Sequence, residues 1–322
     1  MTAVPRRPPA LVEVVRSGFA ESVHAGTVLA LAADGSVAYA AGDPDAPMLP
    51  RSANKPLQLA GMLRAGLDLP PKDLAVAASS HSGEPMHVDR VRDLLTGSRI
   101  PDSVLVCPPA LPLGEEAAQA VLRAGGAPSR AYMNCSGKHT AMVLTCVANG
   151  WPVAGYADPE HPLQVAIRAT VADLAGEPVA ATAVDGCGAP LLGLTLTGLA
   201  RAFGRLVTAP PDSPEGRVAA AMRAYPELVG GTGRDVTALM AGVPGLLAKD
   251  GAEGVYAAAL PSGAAVAVKV ADGSGRARTP LLVGGLRRLG VHAAVLDELA
   301  EVPLLGGGHP VGSIRLRSDA WE

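Results

Sequence analysis

The segment Arg51-Ser52-Ala53-Asn54-Lys55-Pro56 contains a Ser-x-x-Lys spacing that could build an activated nucleophile. On a helical turn, residues three apart project from the same side, so the Lys55 amine can lie over the Ser52 hydroxyl and accept its proton. A lysine acts as a base only when it is neutral. The motif therefore predicts a second basic group close to Lys55, because a like charge favours the neutral amine.

The residues after this motif predict the helix that would position it. Leucine and alanine recur through 57–63 at a spacing that gives a buried face, and Pro56 fits a first helical turn. Ser52 and Lys55 then lie near a helix N-terminus, which disfavours a protonated lysine and favours an oxyanion. The alternative is a helix cap followed by a solvated lysine. Lysine is scarce in this chain, however, and no other lysine follows a serine by three positions.

A second polar cluster is Ser79-Ser80-His81-Ser82-Gly83-Glu84, directly after the apolar run Leu74–Ala78. The run predicts a short buried strand that ends in a polar turn, where active-site residues are often found. A helix is predicted from Met86 to Leu95. The alternative for the polar cluster is an ordinary N-cap and turn.

Two further clusters each place a cysteine in a glycine-containing turn: Cys135 within 133–139, and Cys187 within 184–190. Their spacing matches no common zinc motif, so the residues alone do not favour a metal. The other two cysteines, Cys107 and Cys146, lie in apolar or proline-rich surroundings that are typical of buried thiols.

A fifth cluster surrounds Lys249, after the apolar residues 243–247 and before a strand–turn–strand pattern that ends at 266–270. Lys249 is thus predicted at the edge of a core element. A surface lysine is the ordinary interpretation of such a residue.

Length and composition predict one compact unit over residues 1–322, and the mixture of hairpin strands and helices predicts the α+β class, with a mixed or antiparallel sheet and flanking helices. The hydrophobic fraction is 48% but aromatics are only 3%, so the core must consist largely of Ala, Val and Leu. Residues 1–9 are expected to be disordered. Turns at Asp34-Gly35 and Ser262-Gly263 predict hairpins, and further helices are predicted at 115–124, 162–175 and 215–224.

Charge and patterning exclude several kinds of partner. The net charge is −3 and the arginines are scattered, which argues against nucleic-acid binding. No apolar run is long enough for a signal peptide or a membrane span. Four cysteines without a disulfide spacing fit a reducing compartment, so a cytoplasmic location is expected.

In their order along the chain and in their residues, the clusters resemble the motifs of the bacterial asparaginase II family, which is related to the inducible rhizobial asparaginases. The resemblance covers nearly the whole chain. The matching segments are Arg51-Ser52-Ala53-x-Lys55-Pro56-x-Gln58, Ser80-His81-Ser82-Gly83-Glu84 with His87, Asn134-Cys135-Ser136-Gly137-Lys138-His139, Asp158-Pro159-x-His161-Pro162-x-Gln164, Asp185-Gly186-Cys187, and Lys249-x-Gly251-Ala252-Glu253-Gly254.

The resemblance implies a homodimeric amidohydrolase whose fold is similar to that of the serine β-lactamases and serine-dependent glutaminases. It implies two catalytic Ser-Lys pairs, Ser52 with Lys55 and Ser80 with Lys249. Two lysines held close together repel each other as like charges, which meets the demand for a neutral base.

The resemblance also implies zinc, held by Cys135, Lys138 and Cys187 with water completing the shell. A lysine can bind a metal only after losing its proton, and the metal itself promotes that loss.

Recognition of L-asparagine needs a cation for the α-carboxylate and an anion for the α-ammonium. Arg51 and Asp185 are the candidates that lie inside the matching motifs. His81 and His139 are candidates for completing the amide pocket, although a lone histidine in a turn is more often structural.

The leading prediction is hydrolysis of L-asparagine to aspartate and ammonia through an acyl-enzyme on Ser52 or Ser80, and the sequence does not decide between the two serines. The alternatives are a related hydrolase of glutamine or another small amide, and a catalytically silent zinc or amino-acid binding protein. Two segments depart from the family pattern. Residues 107–112 lack the usual Gly and His, and Thr232 stands where an acidic residue is expected.

Overall fold

The computed structural model describes residues 8–321. The β-strands within them are Ala10–Arg16 (β1), Phe19–Leu31 (β2), Val37–Ala41 (β3), Thr182–Val184 (β4), Pro190–Leu192 (β5), Leu247–Asp250 (β6), Val255–Ala259 (β7), Ala265–Val270 (β8), Val302–Gly306 (β9) and His309–Leu316 (β10). The α-helices are Lys55–Arg64 (α1), Pro71–Ala77 (α2), Pro85–Gly97 (α3), Glu115–Arg123 (α4), Ser136–Asn149 (α5), Pro162–Ala175 (α6), Leu196–Thr208 (α7), Pro214–Ala224 (α8), Pro226–Val229 (α9), Asp235–Gly242 (α10), Arg278–Arg288 (α11) and Ala294–Leu299 (α12).

The chain forms two compact units. The first contains the described residues through Ala53, then Leu194–Thr208 and the chain from Gly242 onward, and the second contains Asn54–Gly193 and Ala209–Ala241. A single catalytic unit over 1–322 stays a prediction. Disorder is expected over residues 1–9, of which residues 1–7 lie outside the described residues. The carbonyl of Pro9, which is described, accepts a hydrogen bond from Gly26 N at 3.0 Å.

The first unit is built on an eight-stranded antiparallel sheet in the order β6-β7-β8-β2-β1-β10-β9, with β3 paired to β2. The 13-residue β2 serves two neighbours on one side, because its first half pairs with β1 and its second half with β3. Helix α11 packs on one face of the sheet, where a Cβ on Gly285 would lie 2.4 Å from Val266 Cγ1.

The sheet register places two lysines on the opposite face. Lys249 pairs with Ala257, which pairs with Ala267, and Lys269 lies two residues beyond Ala267 on the same strand. Since side chains alternate along a strand, both lysines face away from Val266 and α11.

The second unit is mostly helical, with α1 packed on α6 and α8, and α2 packed on α5, α8 and α9. Its only sheet among the described residues is the hairpin of β4 and β5. The α+β class, with an antiparallel sheet and flanking helices, is confirmed. The core is also as expected, since its buried apolar side chains are overwhelmingly Ala, Val and Leu.

The strand predicted at Leu74–Ala78 is wrong, because this run forms α2. Five consecutive apolar residues carry no period that separates a buried strand from a helix buried on all sides. Pro71 at the first helical turn and two alanines favour the helix, which satisfies its backbone groups internally.

The other predicted elements are confirmed. The helix predicted at Met86–Leu95 is α3, those at 115–124, 162–175 and 215–224 are α4, α6 and α8, and both hairpins form as β2–β3 and β7–β8. None of the helices found between residues 8 and 321 has the length and apolar character to cross a bilayer.

Candidate active site

A buried lysine and a serine meet in the second unit. Helix α1 begins at Lys55, whose side chain is 1% exposed. Its Nζ lies 3.0 Å from Ser80 Oγ and donates to the Ser79 carbonyl at 2.5 Å. Ser80 follows the end of α2, and its N–H donates to the Val229 carbonyl at 3.1 Å, which anchors the turn. The serine hydroxyl is therefore held within hydrogen-bond distance of an amine that is removed from water.

The Ser80 partner seen here is Lys55, whereas the family resemblance assigns Lys249 to Ser80. Ser52 lies in a 3₁₀ turn, Arg51–Asn54, that leads directly into α1, and it is half-buried. The pairing of Ser52 with Lys55 and that of Ser80 with Lys249 stay predictions.

Two histidines of the polar turn and α3 stack within the second unit. The rings of His81 and His87 are 5.1 Å apart and nearly parallel, at 13°. His81 Nε2 lies 2.9 Å from Ser136 Oγ, which donates to the Ala131 carbonyl at 3.0 Å. Burial, with smaller contributions from His87 and Lys55, holds the pKa of His81 well below its usual value. His81 is thus a neutral donor to Ser136.

The start of α5 brings Lys138 to the thiols. A Cβ on Gly137 would lie 2.3 Å from the Val76 carbonyl, so only glycine permits this approach of α5 to α2. Lys138 is 1% exposed, and its Nζ lies 3.2 Å from Cys187 Sγ. Cys187 lies in the β4–β5 turn, and Cys135 occupies the N-cap position of α5.

The two thiols interact with each other. This interaction holds the pKa of the Cys135 thiol well below its usual value and raises that of Cys187. Cys135 Sγ also lies 3.2 Å from Asn134 Oδ1, and Cys187 Sγ lies 3.8 Å from Asp185 Oδ2. Burial opposes the charge on Lys138, but both thiols and Asp185 outweigh it and raise the pKa of Lys138. Lys138 thus interacts with both thiols and with Asp185.

His139, the next residue of α5, is fully buried beside Tyr156. Its Nδ1 lies 2.7 Å from the Tyr156 hydroxyl, which accepts a hydrogen bond from Val106 N at 2.9 Å. Burial lowers the pKa of His139 well below its usual value, and Lys138 and Lys55 add to the effect. Burial raises the pKa of Tyr156, so its hydroxyl keeps its proton.

The end of β6 lies against the turn that carries Ser52, within the first unit. A Cβ on Gly251 would lie 2.8 Å from the Pro50 carbonyl and 3.2 Å from Ala53 N. The Lys-x-Gly spacing therefore has a physical reason: glycine allows the strand that carries Lys249 to approach the turn closely.

Lys249 is fully buried and is not a surface residue. Its Nζ donates to Asp250 Oδ1 at 2.6 Å and to the Asp250 carbonyl at 2.7 Å. Arg278 donates to the other Asp250 oxygen at 3.1 Å and to the Gly251 carbonyl at 2.7 Å. Asp250 thus binds both the Lys249 amine and the Arg278 guanidinium at the strand end.

Arg51 lines a cavity of about 620 Å³ in the first unit, together with Thr27, Met48, Glu253 and Lys269. Its Nη1 lies 3.6 Å from Glu253 Oε1. Arg51 and Glu253 both have positive φ, 51° and 56°, a conformation that costs energy for residues other than glycine. Asp185 is half-buried in the β4–β5 turn of the second unit. The substrate-binding roles of Arg51, Asp185, His81 and His139 stay predictions.

One of the two departures from the family pattern, Thr232, has a structural account. Glu84 accepts two hydrogen bonds from Thr232, from its N–H at 2.8 Å and its hydroxyl at 2.7 Å, and an acidic residue there would repel Glu84. The 107–112 loop forms a bridge to Ser129 through Ala110, and Gly114 just beyond it donates to the Ser82 carbonyl at 2.7 Å. This loop therefore packs against the turn that carries Ser80.

Sequence reasoning gave no role to three residues that complete these contacts: Ser136, Tyr156 and Asp250. Ser136 and Asp250 lie inside or beside quoted motifs, so their neighbours could have indicated them. Nothing in the local sequence of Tyr156 signals a contact with His139, because loop packing creates it.

These features define a class, an α+β protein that holds a lysine amine against a serine hydroxyl beside a thiol cluster. The family model described as L-asparaginase II matches residues 12–316, so the chain belongs to the L-asparaginase II family. It is thereby a hydrolase that acts on amides. No curated protein matches the chain significantly. Among solved structures, it is similar to a β-lactamase from Mycobacterium bovis, with 16% identity over 85% of this chain and 93% of that chain, at a TM-score of 0.44.

Proposed function

We propose that the chain hydrolyses L-asparagine to L-aspartate and ammonia through a covalent acyl-enzyme on a serine. Family membership supports the amide substrate. The contact that carries the proposal is Lys55 Nζ at 3.0 Å from Ser80 Oγ, with both side chains buried. A protein that only binds amino acids has no need of an amine held against a serine hydroxyl.

The serine hydroxyl and the Lys55 amine account for every proton transfer in this reaction. A neutral Lys55 takes the hydroxyl proton as the serine oxygen forms a bond to the amide carbon. The carbon–nitrogen bond then breaks, and Lys55 returns the proton to the leaving ammonia. Water hydrolyses the ester by the reverse proton path, which releases aspartate and restores the serine. Ser80 is the serine that Lys55 contacts here, and Ser52 is the competing candidate.

The first prediction identifies the nucleophile by substitution. Ser80→Ala should lower kcat for ammonia release from L-asparagine by roughly three orders of magnitude or more, because the variant lacks the oxygen that would form the bond to the amide carbon. Ser79→Ala is the matched control, since its buried hydroxyl bonds only to the Val76 carbonyl at 2.6 Å. Mass spectrometry of the quenched reaction should find the acyl group on Ser80.

An adduct on Ser52, with Ser80→Ala retaining turnover, would transfer the role to Ser52. Lys55→Met should be as damaging as the serine change, and the two losses should not add, because the pair acts as one unit. Parallel assays with L-glutamine and other small amides test the alternative substrates. Absence of ammonia from every amide would reject the proposed function.

We also propose that Cys135, Lys138 and Cys187 hold a zinc ion. The donor set fits: two thiols and an amine are buried together, with Lys138 Nζ 3.2 Å from Cys187 Sγ. No three Cys, His, Asp or Glu side chains group as a metal site within residues 8–321. The family resemblance makes Lys138 the third protein ligand. Zinc bound by two thiolates is a weak Lewis acid, and its contribution would be to order the turns that carry His139 and Asp185.

The second prediction separates an ordering role from a catalytic one. Cys135→Ser, or chelation, should raise KM for L-asparagine more than it lowers kcat. Cys146→Ser is the control, because this thiol is buried elsewhere on α5, where burial raises its pKa to about 11. Elemental analysis without zinc, or a loss confined to kcat, would contradict the proposal.

The homodimer and the cytoplasmic location are further proposals. All four cysteines are free thiols, which supports a reducing compartment. Sedimentation of the purified protein tests the dimer.

A further inference from the structure

The Tyr156 hydroxyl lies between two buried groups of the second unit. It accepts a hydrogen bond from Val106 N at 2.9 Å and lies 2.7 Å from His139 Nδ1. Tyr156 is 1% exposed, and Gln164 Nε2 donates to its carbonyl at 2.8 Å, so both ends of the residue are fixed. Its ring meets the His139 ring edge-on, with centroids 5.8 Å apart.

The hydrogen-bond donors around the Tyr156 hydroxyl determine the tautomer of His139. The Val106 N–H already donates to the tyrosine oxygen, so the hydroxyl proton needs an acceptor, and His139 Nδ1 is in reach. With a proton on Nδ1 instead, the buried hydroxyl would have no acceptor among residues 8–321, which is costly. His139 therefore accepts at Nδ1 and carries its proton on Nε2.

The Nε2–H of this tautomer is a buried donor with no hydrogen-bond partner among the described residues. Helix α5, which carries His139, packs against α1, and Lys55 at the start of α1 contacts Ser80. We propose that Tyr156 is a positioning residue, which fixes the His139 tautomer so that Nε2–H donates to an oxygen of the bound substrate. This inference rests on the proposed amide hydrolysis.

The donor selects the kind of group it binds. An N–H donor favours an oxygen acceptor and cannot bind an ammonium group, which has only donors. L-Asparagine offers two such oxygens, one on the α-carboxylate and one on the carboxamide that reacts. A bond to the α-carboxylate sets KM, whereas a bond to the carbonyl that gains charge in the transition state sets kcat.

Tyr156→Phe tests the role by removing the hydroxyl while keeping the ring. We expect kcat/KM for L-asparagine to fall roughly tenfold. The loss should appear as a higher KM if Nε2–H binds the α-carboxylate, and as a lower kcat if it binds the reacting carbonyl. Thr145→Val is the matched control, because it deletes a buried hydroxyl on the same helix as His139, one that bonds to the Ala141 carbonyl at 2.7 Å. This control should stay within about twofold of the parent, and thermal unfolding should show that both variants are folded.

Nitrogen NMR of histidine-labelled protein reads the tautomer without any turnover. The His139 signals, assigned with His139→Gln, should show a protonated Nε2 in the parent and a tautomer mixture in Tyr156→Phe. Addition of L-aspartate should shift the Nε2 signal. A parent with its proton on Nδ1, a Tyr156→Phe enzyme within twofold of the parent, or an equal loss in Thr145→Val would overturn the inference. Lack of asparagine turnover would instead defeat the proposed function, and the tautomer would still be measured.

Discussion

Burial changes what Lys249 can do chemically. A solvated lysine is a cation at neutral pH, whereas Lys249 is fully buried and bonded to Asp250 at 2.6 Å through its side chain. Asp250 is shared with Arg278, so one carboxylate binds both the Lys249 amine and a guanidinium at the strand end. Lys249 is therefore held in place inside the first unit, and its catalytic role stays a prediction.

The third prediction is that Lys249→Arg inactivates the enzyme without unfolding it. Arginine keeps the positive charge but cannot act as a neutral base. We expect kcat for L-asparagine to fall by roughly two orders of magnitude or more. Lys72→Arg, at an exposed lysine of α2, controls for the substitution itself. Normal turnover by the Lys249 variant, with unchanged thermal unfolding, would assign this lysine a structural role only.

The sequence could indicate which residues carry chemistry but not all of their contacts. Lys55 and Ser80 are 25 positions apart, and their 3.0 Å contact depends on how the turn after α2 packs on α1. The spacing along one helical turn predicted Ser52 as the partner of Lys55, because local spacing can indicate only contacts between residues that are close in sequence. The Tyr156–His139 contact has the same origin in tertiary packing.

Among the elements, α2 and its packing against α5 show that tertiary contacts determine secondary structure where the sequence pattern is ambiguous. The run through 74–78 is apolar at every position, so its period is undefined, and the helix forms because α5, α8 and α9 surround it. The amphipathic helices were predictable from their period, and the hairpins from their turns. Strand order was not predictable, since Val12 pairs with Leu316 near the other end of the chain.

The fourth prediction concerns the close contact of α5 with α2. Gly137→Ala places a methyl group 2.3 Å from the Val76 carbonyl, and backbone cannot yield as a flexible side chain does. Alanine favours a helix by about 1 kcal/mol, but overpacking costs about 1–3 kcal/mol, so we expect net destabilisation and lost turnover. Urea unfolding and ammonia release measure both effects.

Gly97→Ala supplies the control for Gly137→Ala, because it is also a helical glycine, yet a Cβ there meets nothing within 4 Å. It should leave turnover unchanged and keep or raise the free energy of unfolding. Equal behaviour of the two variants would show that the α2–α5 contact is not tight.

At the scale of the whole molecule, buried histidines tie stability to pH. His81 and His87 are both 0% exposed and stacked at 5.1 Å, and burial lowers the pKa of each. Glu84 and Glu227 face His87 and favour its charged form, but burial outweighs them. Protonating either ring inside the fold would place a cation in a site built for a neutral group.

The last prediction follows from the sign of these shifts. Unfolded histidines take up protons near pH 6.5, whereas the folded ones remain neutral, so the unfolded state binds more protons in acid. The stabilisation is complete above about pH 6.5 and is lost as pH falls toward the folded pKa values, by up to about 1.4 kcal/mol per pH unit for each histidine. Urea unfolding between pH 5 and 8 should show this slope, and His87→Gln should reduce it. The exposed His292→Gln variant should keep the slope of the parent. If the free energy of unfolding stays constant below pH 6.5, the two rings already carry a charge in the folded protein. His81 would then not be the neutral donor to Ser136 that we infer.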